Sequence, residues 1–109
     1  MSWNFKKEEK YTLCTPVNSS EEELTHAFGL LDFTDHKILD CSGVRFTEGV
    51  RQVVSKIYED HLEQQKSFIV VVESKELMED LEDFFVVVPT ISEAIDYLYM
   101  EELERNILE

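Results

Sequence analysis

Ser67-Phe68-Ile69-Val70-Val71-Val72-Glu73, the run SFIVVVE, decides the fold of this chain. Five consecutive apolar side chains, most of them β-branched, leave no polar face to turn to water. Such a run belongs to a strand covered on both faces, as in the middle of an α/β sheet. Strand alternation sends Phe68, Val70 and Val72 to one side and Ile69 and Val71 to the other, so both sides need a helical layer.

Both flanks supply such layers. Before the run, Val50, Val53, Val54, Ile57, Tyr58 and Leu62 mark the apolar stripe of a long helix, with Arg51, Lys56, Glu59, Asp60 and Glu63 between them. Upstream of that helix, HKILDCSG reads as a short strand, roughly Lys37 to Cys41, followed by a Ser42-Gly43 turn. After the run, Ser74 can cap a helix with apolar positions Leu77, Met78 and Leu81. FFVVVP then reads as a strand closed by Pro89. Thr90 and Glu93 form a capping box for a last helix with inner face Ile91, Ala94, Ile95 and Leu98, beyond which the acidic EELERNILE trails off.

The first third is weaker. Met1 to Lys10 is polar apart from Trp3 and Phe5, and reads as a loose lead-in or a short edge strand. YTLCTPV, Tyr11 to Val17, is a strand that Pro16 confines to an end or an edge. NSSEEELTHAFGLL offers two capping boxes and the spacing Leu24, Ala27, Phe28, Leu31 of a short helix that Gly29 weakens. Strand and helix alternate four times, which predicts a layered α/β fold: one domain over 1–109, with a mostly parallel sheet of about four or five strands.

Composition excludes more than it assigns. Twenty-four Asp and Glu against ten Lys and Arg give a formal charge of −14. Such a surface repels phosphate backbones and anionic lipid, so neither nucleic acid nor a membrane is the expected partner. No apolar run approaches the roughly 20 residues that span a bilayer. The start, MSWNFKKEEKY, lacks the apolar core of a secretory signal, and a cytoplasmic location is expected. Cys14 and Cys41 lack CxxC spacing and are expected to be reduced and buried.

Catalytic and cofactor motifs are missing. Gly29, Gly43 and Gly49 are isolated, so no phosphate-cradling glycine loop can be written. His26, His36 and His61 sit on different elements, with no nucleophile elbow and no metal-ligand spacing. Neighbouring carboxylates such as Glu79-Asp80 are expected on solvated helix faces at this composition. No enzyme activity, cofactor or metal is predicted. A phospho-receiver reading fails as well: the first strand ends CTPV without an acidic pair, and no lysine follows the last strand.

The stretch ILDCSGVRFTEGV, continued by SFIVVVES, KELMEDLEDFFVVVPT and ISEAIDYL, resembles the STAS domains. These occur in bacterial anti-sigma factor antagonists and at the cytoplasmic ends of sulphate transporters. The likeness covers about the last two-thirds of the chain. Asp40, Gly49 and Glu93-Ala94 occupy the places of the family's strand-end Asp, helix-opening Gly and final Glu-Ala. It implies a single STAS-like domain, usually with two antiparallel strands before the first helix. Here either the second is lost or SWNF supplies it.

Counted back from Gly49, Thr47 resembles the phosphorylated serine of the antagonists, with Glu48 on the second hydroxyl and Phe46 replacing the preceding Asp. The resemblance implies a non-catalytic regulatory module that meets a protein partner, an anti-sigma factor or a serine kinase. Contact would run through the turn Val44, Arg45, Phe46, Thr47, Glu48 and Gly49. A hydroxyl at a helix N-terminus can receive a phosphate, but Thr is equally a good N-cap. The alternative is therefore a structural or assembly subunit on the same scaffold without a switch.

Overall fold

The computed structural model describes residues 3–16, 32, 34–44 and 46–108. The expected helix over 19–31, with His26 and Gly29, lies outside the described residues, as does Arg45. Five strands form one sheet in the order β1-β2-β3-β4-β5: Trp3–Lys7, Tyr11–Pro16, His36–Asp40, Phe68–Val71 and Val86–Val88. β1 pairs antiparallel with β2, and every later neighbour is parallel. The N-terminal segment is thus the edge strand rather than a loose lead-in. Lys6 and Lys7 on this edge discourage further strand pairing.

Three helices follow among the described residues: α1, Glu48–Glu63; α2, Lys75–Leu81; and α3, Ile91–Leu108. The central strands behave as their sequence requires. Phe68, Val70 and Val72 pack with Leu39 of β3, with Val50, Val54 and Ile57 of α1, and with Leu81 of α2. Ile69 and Val71 face the other way, onto Ile38 and onto Ala94 and Leu98 of α3. Both faces of the sheet are dry there, and the continuous apolar run is the consequence.

The structure departs from the sequence reading at three places. Leu62 is exposed, and His61 is buried against Phe68 with ring centroids 5.0 Å apart. The buried line of α1 runs Val50, Val54, Ile57, His61, and Leu62 falls on its flank. The FFVVVP strand shortens to Val86–Val88 at the open edge of the sheet. Phe85 is buried behind it, while Phe84 turns outward. The last helix does not trail off but runs to Leu108. Two polar contacts fasten its second half to the sheet: Glu102 to His36 at 2.9 Å, and Arg105 to the Ser67 hydroxyl at 3.1 Å.

α1 ends without glycine. Gln65 takes the left-handed conformation, φ 60°, at the position glycine favours. The amide of Gln65 donates to the Leu62 carbonyl at 2.9 Å, and that of Lys66 reaches back to His61 at 2.8 Å. That pair of bonds is a Schellman termination.

Candidate functional site

Parallel strands followed by helices bring the starts of the three described helices to one edge of the sheet. Three hydroxyls stand there as N-caps. Thr47 accepts the Val50 amide at 3.3 Å, Ser74 that of Leu77 at 3.2 Å, and Thr90 that of Glu93 at 3.1 Å. This carboxyl edge is where α/β sheets generally build their sites.

The turn leading to Thr47 is organised from both ends. At its start, one Asp40 carboxylate oxygen accepts the Ser42 amide at 3.2 Å and the Ser42 hydroxyl at 2.7 Å, and the Val44 amide closes onto the Cys41 carbonyl at 3.0 Å. At its end, Phe46 is pulled into the core cluster beside Phe85, ring centroids 6.4 Å apart. Phe46 therefore anchors the turn in place of the acid that the resemblance implies at this position.

Thr47 has extended backbone, φ −90° and ψ 170°, and its carbonyl accepts the Arg51 amide at 3.0 Å. Its side chain is half-buried. Glu48 projects into solvent and meets Arg51 at 3.8 Å, while the Arg51 guanidinium lies 4.2 Å from the centre of the Phe84 ring. An exposed ion pair of this kind contributes little to stability. It does set the local surface around the first turn of α1: a carboxylate, a stacked guanidinium and an exposed aromatic ring. Val44 and the run Phe46, Thr47, Glu48 and Gly49 lie in this turn and the first turn of α1. Gly43 adopts no left-handed backbone, and a Cβ there would meet nothing.

A second polar cluster lies at the opposite edge of the sheet, and sequence reasoning missed it. The Lys37 side chain is buried and its ammonium contacts Asp35, the Asp35 carbonyl at 3.1 Å and Asp32 at 3.2 Å. Thr12 also donates to Asp35. Burial pushes the Asp35 carboxyl up, but hydrogen bonds from Lys37 and Thr12 outweigh it and hold the group below its ordinary value. Asp32 is held low chiefly by the backbone amide and hydroxyl of Thr34. The cluster borders a partly open cavity of about 330 Å³ that Phe5 and Lys7 also line.

Nearby, His36 accepts the Ser67 amide at Nδ1, 2.8 Å, which leaves Nε2 to donate to Glu102. Burial lowers the pKa of His36 despite the opposing pull of Glu102. His36 and Glu102 are 66 positions apart, and Ser67 and Arg105 are 38 apart, so no local spacing announces either pair.

Both cysteines are buried. Loss of solvation raises the Cys14 thiol to about 12 and pushes Cys41 well above the ordinary thiol range. Neither is an activated nucleophile. Among the described residues no set of three His, Cys, Asp or Glu side chains could hold a metal ion, and no helix is long and apolar enough to cross a membrane.

No family model and no curated protein matches the sequence. Solved structures do match. The solution structure of the protein TM1081 superposes with a TM-score of 0.70 at 18% identity, over 87% of this chain and 86% of that one. The crystal structure of the same protein, a candidate anti-sigma factor antagonist from Thermotoga maritima, gives 0.72 at 17% identity, over 89% and 94%. A Moorella thermoacetica RsbS with glutamate in place of a serine gives 0.66 at 15% identity, over 96% and 99%. The five-stranded, mostly parallel sheet flanked by helices on both faces is therefore the STAS-type fold of the anti-sigma factor antagonist and RsbS proteins.

Proposed function

We propose that this chain is a non-catalytic cytoplasmic regulatory module of the anti-sigma factor antagonist type. It binds a protein partner, an anti-sigma factor or serine kinase, through the turn from Val44 to Gly49 and the start of α1, and phosphorylation of Thr47 ends that binding. The observation that carries this reading is the Thr47 hydroxyl, half-buried at the positive end of a 16-residue helix and engaged by a single cap bond to Val50. A phosphate there meets first-turn amides that the helix itself leaves unpaired, and adds about −2 charge beside Glu48. A partner groove shaped for a neutral threonine then meets repulsion.

Incubation with a cognate serine/threonine kinase tests the reading. Mass spectrometry should find one phosphate, on Thr47, and the modified protein should lose its partner. Thr47→Ser keeps modification and binding; Thr47→Ala blocks modification and keeps binding. Partner capture that is equal for wild type, phosphorylated protein and Glu48→Ser removes the turn from the interaction. The chain then reads as an assembly subunit whose Thr47 caps α1 just as Ser74 and Thr90 cap their own helices.

A further inference from the structure

We infer that the outward face of α3 is a docking surface for a basic amphipathic helix of another protein. Seven large hydrophobic side chains are exposed among the described residues, and four of them belong to this helix: Tyr99 at 47%, Met100 at 56%, Leu103 at 60% and Ile107 at 74%. Their spacing places them within about a quarter-turn of the helix surface. Ala94 and Leu98, which bury α3 against the sheet, point the opposite way. α3 thus carries two apolar faces. A surface helix needs only one, and an unbroken apolar stripe on the second marks an interaction site.

Charge decides what covers the stripe. α3 has five acids, Glu93, Asp96, Glu101, Glu102 and Glu104, against one base, Arg105. Arg105 is turned inward to Ser67, and Glu102 to His36 and Lys10. The rim that faces out is therefore anionic, with Glu93, Asp96 and Glu104 exposed. A second copy of this chain would bring the same carboxylates together on a protein of formal charge −14. A helix with apolar residues at i, i+3, i+4 and i+7 between lysines or arginines satisfies both the stripe and its rim. This surface lies across the sheet from α1 and is independent of the Thr47 turn, so the module can hold two proteins at once.

The test is fluorescence anisotropy with a labelled helical peptide of leucine and lysine, leucines at i, i+3, i+4 and i+7, and a peptide of equal composition with scattered leucines. Wild type should bind the first peptide and bind the second at least about tenfold more weakly. Leu103→Gln combined with Ile107→Gln alters two exposed positions and no charge, so it should leave the circular dichroism spectrum intact and weaken binding by about tenfold or more. Thr47→Ala should bind as wild type does. Equal binding of the two peptides reduces the contact to bulk charge and overturns the inference. So does full binding by the double variant, or loss of binding in Thr47→Ala. Sedimentation of wild type as a dimer that the double variant dissociates overturns it in favour of a second copy.

Discussion

Thr47 holds the start of α1 with one hydrogen bond, and its removal has a measurable cost whatever else the residue does. Thr47→Ala should lower stability by about 0.5–2 kcal/mol, with Thr47→Ser close to wild type, as read from urea midpoints. Val70 is the opposite case, a side chain with no exposure at all on the strand between both layers. Val70→Asp strands a charge with no partner, a loss of about 3–5 kcal/mol that a domain of ordinary stability can barely survive. Loss of the folded circular dichroism spectrum is the expected result. Cys14 and Cys41, sealed and held protonated by burial, should react with a thiol reagent only after denaturant is added. Rapid labelling of native protein at Cys41 would reopen a thiol chemistry.

At the scale of elements, the end of α1 stores a small strain. Gln65 occupies a left-handed backbone that costs an L-residue about 1–2 kcal/mol. Glycine removes that cost but loses about 0.5–1 kcal/mol to its freer unfolded chain. Gln65→Gly should therefore raise stability by up to about 1 kcal/mol, seen as a higher urea midpoint at unchanged slope. The helix end was illegible in the sequence because no glycine marks it. The extent of α3 was illegible for a different reason. EELERNILE has little apolar periodicity toward the sheet, and what fastens it is Glu102 on His36 and Arg105 on Ser67, contacts that exist only after β3 and β4 are side by side.

Across the whole molecule, acid should weaken the fold in two steps. Burial depresses His36 and His61 below their ordinary value of 6.5, so the unfolded chain binds those protons first. Stability is then fully present above 6.5 and falls as pH drops through the folded values. Asp32 and Asp35 lie below 3.8, so what they contribute persists above that pH and is lost beneath it. Urea midpoints should decline as pH falls below about 6.5, then again below about 3.8. A flat profile across the first window would mean that the two histidines are solvated in the folded protein.

The sequence by itself determined the layered fold and the position of the turn. SFIVVVE is apolar on both sides, a strand of that kind must be covered twice, and the helices that cover it carry their own period and hydroxyl caps in adjacent residues. Local patterns also put Thr47 at a helix start, because a cap and its amide are three positions apart. Only tertiary structure decided that the N-terminal segment pairs with β2 and that Phe46 anchors on Phe85. It alone buried Lys37 among Asp32, Asp35 and Thr12, and set His36 against Glu102. Each of these pairings depends on which strand lies beside which, and a polar side chain carries no periodic mark of the partner it will meet.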